Sequence, residues 1–156
     1  MNRETIKETV CKAGIDIGST TVKLVISDEK NRLLFGEYKR HMAHTKDLEL
    51  LTQAAERLGD RPMQVHITGS GALGIARSLG IPFTQEVVAV AKALKNYDPR
   101  TDVAVELGGE DAKIIYFTGG LEERMNGVCA GGTGSFIDQM ASLLQTDASG
   151  LNEAAA

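Results

Sequence analysis

The sequence predicts a mixed α/β fold built on a duplicated strand–turn–strand unit, and three observations carry that prediction. Three strand-like runs come first, helices then alternate with strands, and at Val103 the strand pattern starts again, as though a second lobe were beginning. Residues 14–26, GIDIGSTTVKLVI, and 104–116, AVELGGEDAKIIY, then share one pattern. Each has an apolar strand ending in an acid, one residue, a glycine, four residues, a lysine and a second apolar strand. Finally, at 156 residues, 42% hydrophobic and 24% charged, the chain has material for a packed core and an ordinary soluble surface.

Residues 13–17 and 21–27 are β-rich runs parted by Gly18, Ser19 and Thr20, which reads as a tight hairpin. The turn-like DEKN at 28–31 leads to a third strand over 32–40. From Asp47 the period changes: Leu48, Leu51, Ala54, Ala55 and Leu58 recur at helical spacing, and Gly59 is the stop. A strand at 64–68, a helix at about 72–79 and a short strand at 81–84 follow. A second amphipathic helix spans 86–97 and ends at Asp98-Pro99. The hairpin at 103–117 passes through Gly119-Gly120 to another short strand. A last helix starts near Gly132 and is expected to bury Phe136, Ile137, Met140, Leu143 and Leu144 on one face. This gives a polar leader at 1–12, a first lobe at 13–98 and the start of a second at 99–156. The second copy stops after one hairpin and one helix, so the chain is expected to be a fragment.

A net charge of −4 gives no electrostatic reason to expect nucleic acid or an anionic membrane as partner. No apolar run approaches a membrane span, and MNRETIKETVCK lacks the features of a signal peptide. Cys11 and Cys129 suggest no disulfide framework, so a reduced, cytoplasmic protein is expected, with Cys11 inert in the leader. The chain has no Trp and few aromatic residues, which argues against base-stacking platforms. His41, His44 and His66 show no ligand spacing.

The repeat is the first candidate site. An acid at a strand end holds Mg²⁺ through water, and a glycine-rich turn beside it lets backbone N–H groups reach phosphate oxygens. Asp16 with Gly18, Ser19, Thr20, Thr21 and Lys23 forms one such group; Glu106 with Gly108, Gly109 and Lys113 forms the other. Two hairpins of this kind, facing each other, would cradle a nucleotide's phosphates from two sides. Glu110 and Asp111 would orient a water or hold the metal through its water shell. An ordinary β-turn also favours Asp, Gly, Ser and Thr, but it demands neither the acid nor the lysine.

Gly69-Ser70-Gly71-Ala72-Leu73-Gly74 competes, because a G-x-G-x-x-G between a strand and a helix, with Glu86 after the next strand, is the dinucleotide-binding arrangement. Three strands precede it, Glu86 comes early and the repeat is left unexplained; glycines that pack a strand–helix turn are the favoured alternative. Cys129 is the other informative residue. It precedes the glycine-rich turn Gly131-Gly132-Thr133-Gly134 that feeds a helix, and a helix N-terminus favours thiolate or its metal complexes. A buried structural cysteine is the commoner case. One cysteine cannot make a metal site by itself, though a site shared by two subunits would supply the rest.

Taken together, GIDIGSTTVK, TGSG, VELGGEDAK and NGVCAGGTGSFIDQMA resemble the activators of 2-hydroxyacyl-CoA dehydratases, of the benzoyl-CoA-reductase-type ATPase family. That family sits within the actin, sugar-kinase and heat-shock ATPase superfamily, so the resemblance implies a duplicated ribonuclease-H-like ATPase fold of the actin/hexokinase type. It also implies an ATP-driven electron donor. A homodimer holds one four-iron, four-sulfur (4Fe-4S) cluster at its interface, accepts an electron from flavodoxin or ferredoxin, and passes it to the dehydratase while hydrolysing ATP to ADP. Carried over by motif, Asp16, Gly18, Ser19 and Thr20 are the first phosphate loop, with Mg²⁺ held through Asp16. Glu106, Gly108, Gly109, Glu110 and Asp111 are the second. Cys129 is the first cluster ligand. Apart from the resemblance, the turn after it would let the backbone approach a ligand at Gly131, Gly132 and Gly134, which makes Gly132, Thr133 and Gly134 candidate cofactor-binding residues.

The sequence departs from the family where Glu106 replaces the more usual Asp and where Val87-Val88-Ala89 stands in place of Cys-His. The family's second cluster cysteine and adenosine-contacting Gly-Gly lie beyond Ala156. Weak nucleotide affinity and no stable cluster are therefore expected of the segment alone. A small-metabolite kinase of the same superfamily, which would not need Cys129, and a non-catalytic nucleotide-binding module are the alternative functions.

Overall fold

A computed structural model of the 156-residue chain describes residues 10–40, 52, 56, 61–127 and 132–156. The chain divides into two compact units, Met1–Glu86 and Val87–Ala156. The division falls at the start of the helix Glu86–Tyr97, whereas the sequence predicts a boundary just past its other end, at Asp98.

In the first unit, β1 (Cys11–Ile17), β2 (Thr21–Ser27), β3 (Leu33–Arg40) and β4 (Met63–Thr68) form one sheet in the order β3-β2-β1-β4. β1 and β2 pair antiparallel across the tight turn, whereas β1 and β4 pair parallel. Alternation decides which face is buried. Cys11, Ala13, Ile15 and Ile17 of β1 and Val22, Leu24 and Ile26 of β2 point to the core, joined by Phe35 and Ile67. Cys11 is only 2% exposed, so the strand and its core begin within the stretch read as a polar leader.

The helix α1 (Leu73–Leu79) lays Ala72 and Ala76 on that core and ends at Gly80 in the left-handed conformation. The strand expected at 81–84 shrinks to one parallel bridge, Ile67 to Phe83, because Pro82 has no N–H to extend a ladder. The helix expected from Asp47 to Gly59 lies outside the described residues, apart from Thr52 and Glu56, which are helical.

The helix α2 (Glu86–Tyr97) follows, as its spacing predicts. In the second unit β5 (Val103–Leu107), β6 (Ala112–Tyr116) and β7 (Glu122–Met125) form an antiparallel sheet in that order. The helices α3 (Gly134–Leu143) and α4 (Ala148–Ala154) close the chain. Among the described residues, the buried apolar side chains of this unit are Ile115 and Ala141. The expected burial along α3 is overturned for three residues, since Phe136, Leu143 and Leu144 are 46%, 74% and 67% exposed. The buried edge of α3 runs instead through Thr133 and Ala141, a strip narrower than the helix's apolar arc.

Candidate functional site

The two repeated hairpins have the same register. In the first, Asp16 lies opposite Lys23 and Ile17 opposite Val22; in the second, Glu106 lies opposite Lys113 and Leu107 opposite Ala112. Their turns close alike: the Gly18 N–H donates to the Thr21 carbonyl at 2.9 Å, and the Gly108 N–H donates to the Asp111 carbonyl at 2.9 Å. Each leading glycine therefore uses its own N–H to close the turn. In the first turn, Ser19 and Thr20 form the tip.

Asp16, the last residue but one of β1, has its side chain on the face away from the apolar core. Lys23 Nζ donates to Asp16 Oδ2 at 2.7 Å. Asp16 Oδ1 is buried with no hydrogen-bond partner among the described residues, and so is Thr68 Oγ1. Asp16 and Thr68 are register partners across the parallel β1·β4 pair, so the two side chains leave the same face of the sheet at the same level. Buried polar atoms are nearly always paired, so two neighbouring orphans mark a place for a third polar group. The donor set of a carboxylate oxygen and a hydroxyl suits a hard cation's water shell. The Lys23 ammonium offsets the Asp16 charge, which disfavours a naked divalent ion and leaves room for a hydrated one. These residues fit Mg²⁺ brought in on a phosphate.

The turn from β4 into α1 packs on the first hairpin. Gly69, at φ +106°, sits so close to Ile17 that a Cβ would fall 2.2 Å from the Ile17 carbonyl oxygen. The Gly71 N–H donates to that same carbonyl at 2.9 Å. Gly69 and Gly71 are thus accounted for by packing on β1. Gly74 lies inside α1 with open space around it.

The second hairpin is held at its turn by α3. The Gly134 N–H donates to the Gly108 carbonyl at 2.8 Å, and the Ser135 hydroxyl donates to the Gly109 carbonyl. Thr133 beside them is fully buried, and Gly132 adopts φ +68°. Lys113 is buried with its Nζ 3.5 Å from Asp111 Oδ2, whereas Lys23 in the first hairpin pairs with the strand acid and keeps 42% of its side chain exposed. Asn126 fastens the start of β6 by accepting from the Ala112 N–H and donating its own N–H to the Ala112 carbonyl, each at 3.0 Å. Glu106 lies on β5, and Glu110 in the turn.

Cys129, Gly131, His41 and His44 lie outside the described residues. Among the described residues there is no group of three or more His, Cys, Asp or Glu able to hold a metal, and the remaining cysteine, Cys11, is in the core. No described helix is long and apolar enough to cross a membrane. The structure also brings Thr68 beside Asp16 and Ser135 onto the second turn, two residues that sequence reasoning did not single out although both lie in the segments TGSG and GGTGSF.

A sequence model of the BadF/BadG/BcrA/BcrD ATPase family matches residues 13–155. The 2-hydroxyisocaproyl-CoA dehydratase activator of Clostridioides difficile is 29% identical over 145 residues, covering 88% of this chain and 54% of the relative. The (R)-2-hydroxyglutaryl-CoA dehydratase activating ATPase of Acidaminococcus fermentans is 27% identical over 145 residues, covering 90% and 56%. The chain spans about half the length of the curated relatives it matches.

Among solved structures, the Clostridium difficile activator with bound ADPNP superposes with a TM-score of 0.75 at 27% identity, over 89% of this chain and 54% of that one. Component A of the Acidaminococcus fermentans dehydratase gives a TM-score of 0.81 at 24% identity, over 93% and 58%. The fold is the actin/hexokinase-like, ribonuclease-H-like ATPase fold expected from the sequence.

Proposed function

The chain belongs to the BadF/BadG/BcrA/BcrD ATPase family, and from that premise we propose that it is the nucleotide-handling part of an ATP-driven dehydratase activator. One observation supports the reading above the rest. Two hairpins of identical register each present an acid at a strand end, a glycine-closed turn and a lysine one strand away. Turn chemistry alone asks for neither the acid nor the lysine.

In this reading Asp16 holds a water of the nucleotide's Mg²⁺ through its unpartnered Oδ1, while Lys23 fixes the carboxylate through Oδ2. The ion, when bound, neutralises charge on the phosphates. Ser19 and Thr20 present main-chain N–H groups and hydroxyls to phosphate oxygens from the first turn. In the second turn Gly109 keeps side chains out of the way of a phosphate, and Glu110 or Asp111 orients the attacking water. Lys113 steadies Asp111 from within the unit.

The activators named among the relatives support a dehydratase as the partner, and the rest is what the resemblance of the sequence motifs implies. The full protein would couple hydrolysis to electron delivery to a 2-hydroxyacyl-CoA dehydratase, as a homodimer fed by a flavodoxin or ferredoxin. Cys129 would be one ligand of a shared 4Fe-4S cluster. The described residues do not offer a ligand set for that cluster, so its support is the sequence motif alone.

Calorimetric titration with Mg–ADPNP tests the nucleotide reading. Wild type should bind only when Mg²⁺ is present, and Asp16→Ala should weaken binding at least about tenfold, the loss of one charge-assisted contact. Wild-type affinity in Asp16→Ala, or indifference to Mg²⁺, would overturn it. In the full-length protein, Cys129→Ser should abolish electron delivery while sparing nucleotide binding.

A further inference from the structure

We propose that Thr68 is a positioning residue of the phosphate site: together with Asp16 Oδ1, its hydroxyl holds one water of the magnesium ion that a nucleotide brings with it. The proposal rests on the nucleotide reading above and names a group that the repeat itself does not contain.

The parallel register pairs Asp16 of β1 with Thr68 of β4, so both side chains leave the same face of the sheet at the same level. Neighbouring strands lie about 4.8 Å apart. A water between oxygens on two such strands can sit about 2.8 Å from each. Both oxygens are buried, and neither has a hydrogen-bond partner among the described residues. Asp16 Oδ2 is already taken by Lys23 at 2.7 Å, which aims the remaining oxygen of the carboxylate.

The backbone holds this notch in place. Gly69, the residue after Thr68, lies so close to Ile17 that only a glycine fits, and Gly71 donates to the Ile17 carbonyl at 2.9 Å. The end of β4 is thereby locked to the residue that follows Asp16. A serine hydroxyl would serve as well as threonine's, whereas valine keeps the shape and removes the oxygen. Valine also removes an unsatisfied buried hydroxyl, so the ligand-free protein should gain or keep stability while it loses metal. A merely structural threonine would not separate those two readouts.

The experiment measures Mn²⁺ binding in the presence of ADPNP by electron paramagnetic resonance, alongside thermal melting without ligand. Thr68→Val should bind Mn–ADPNP about 5- to 10-fold more weakly, the loss of one hydrogen bond to a charged complex. Thr68→Ser should stay within about twofold of wild type. The melting midpoint of Thr68→Val should be unchanged or higher. Wild-type Mn–ADPNP affinity in Thr68→Val overturns the inference, and so does equal weakening in Val and Ser, which would assign the effect to the methyl group. Should Thr68→Val not fold, Thr68→Ala against Thr68→Ser makes the same comparison. Asp16→Asn separates the two levels. If it loses metal-dependent binding while Thr68→Val does not, only the Thr68 inference falls. If Asp16→Asn binds as wild type, the phosphate reading falls with it.

Discussion

Gly18 separates the two explanations of the first hairpin. It lacks the positive φ that would require glycine, and a Cβ placed there would meet Thr21 O at 3.4 Å and Thr21 Oγ1 at 3.6 Å, ordinary contacts. The fold does not need a glycine at this position, so a requirement for one would come from a ligand approaching the turn. Gly18→Ala should therefore keep its melting temperature within a few degrees and lose Mg–ADPNP affinity about tenfold or more. Retained affinity would return the turn to ordinary hairpin chemistry.

Gly69 makes the opposite case. At φ +106°, and with its would-be Cβ 2.2 Å from the Ile17 carbonyl oxygen, Gly69→Ala should destabilise the unit by roughly 2 kcal/mol or more. Denaturant titration reads that loss directly.

Asp28 shows how a polar turn titrates. Its carboxylate accepts from the Arg32 N–H at 2.9 Å, Arg32 Nε at 2.6 Å and the Lys30 N–H at 2.9 Å. The Arg32 main-chain bond leads in holding this carboxyl below its ordinary value of 3.8; burial pushes the other way, and the Arg32 side chain and Lys30 N–H add to the lowering. A depressed folded value means the unfolded chain takes the proton first. The stabilisation is full above the ordinary value and is lost as pH falls through the folded one. Melting across pH 2–5 should show a shallower acid slope in Asp28→Asn; an unchanged slope would remove Asp28 from the acid response.

The elements were legible where one physical signal dominated. Period-two alternation around a short polar turn identifies both hairpins, and the amphipathic run at 86–97 gives α2 to the residue. Legibility failed where burial depends on what lies opposite. The apolar arc of α3 reads as a buried face, yet Phe136 and Leu143 stay largely open to solvent. α4 carries little apolar periodicity and was missed; the Asp147 side chain caps it by accepting from the Gly150 N–H at 2.9 Å.

The same contrast governs the site. Asp16, Gly18 and Lys23 belong to one hairpin and can be read together, while Thr68 reaches Asp16 only through the parallel register of β4. The tie between α3 and the second turn was equally hidden, being made by backbone groups and one serine. Ser135→Ala should cost about 1 kcal/mol of stability, because the Gly134–Gly108 main-chain bond remains. It should lower Mg–ADPNP affinity by more than that loss of stability alone would, since the turn proposed to meet phosphate is loosened. Calorimetry showing unchanged affinity would make the serine a plain cap.

At the scale of the molecule, duplication of the hairpin does not mean duplication of its support. The first hairpin lies inside a four-stranded sheet over a core of eleven buried residues, from Cys11 to Ala76. The second lies in a three-stranded sheet whose described buried apolar residues are Ile115 and Ala141, and Val103, Val105 and Leu107 of its edge strand β5 are 45%, 64% and 50% exposed. Burial of apolar surface contributes roughly 25 cal/mol per Å², so the second unit has the weaker resistance to opening. A ligand that binds only the closed form adds protection wherever it touches. Amide exchange of the protein without nucleotide should therefore be slowest over residues 11–27 and clearly faster over 103–125, with Mg–ADPNP slowing the second region more than the first. Equal protection of the two hairpins before ligand would show that burial does not set their stability. Slowing confined to the first hairpin would remove Gly108–Asp111 from the phosphate site.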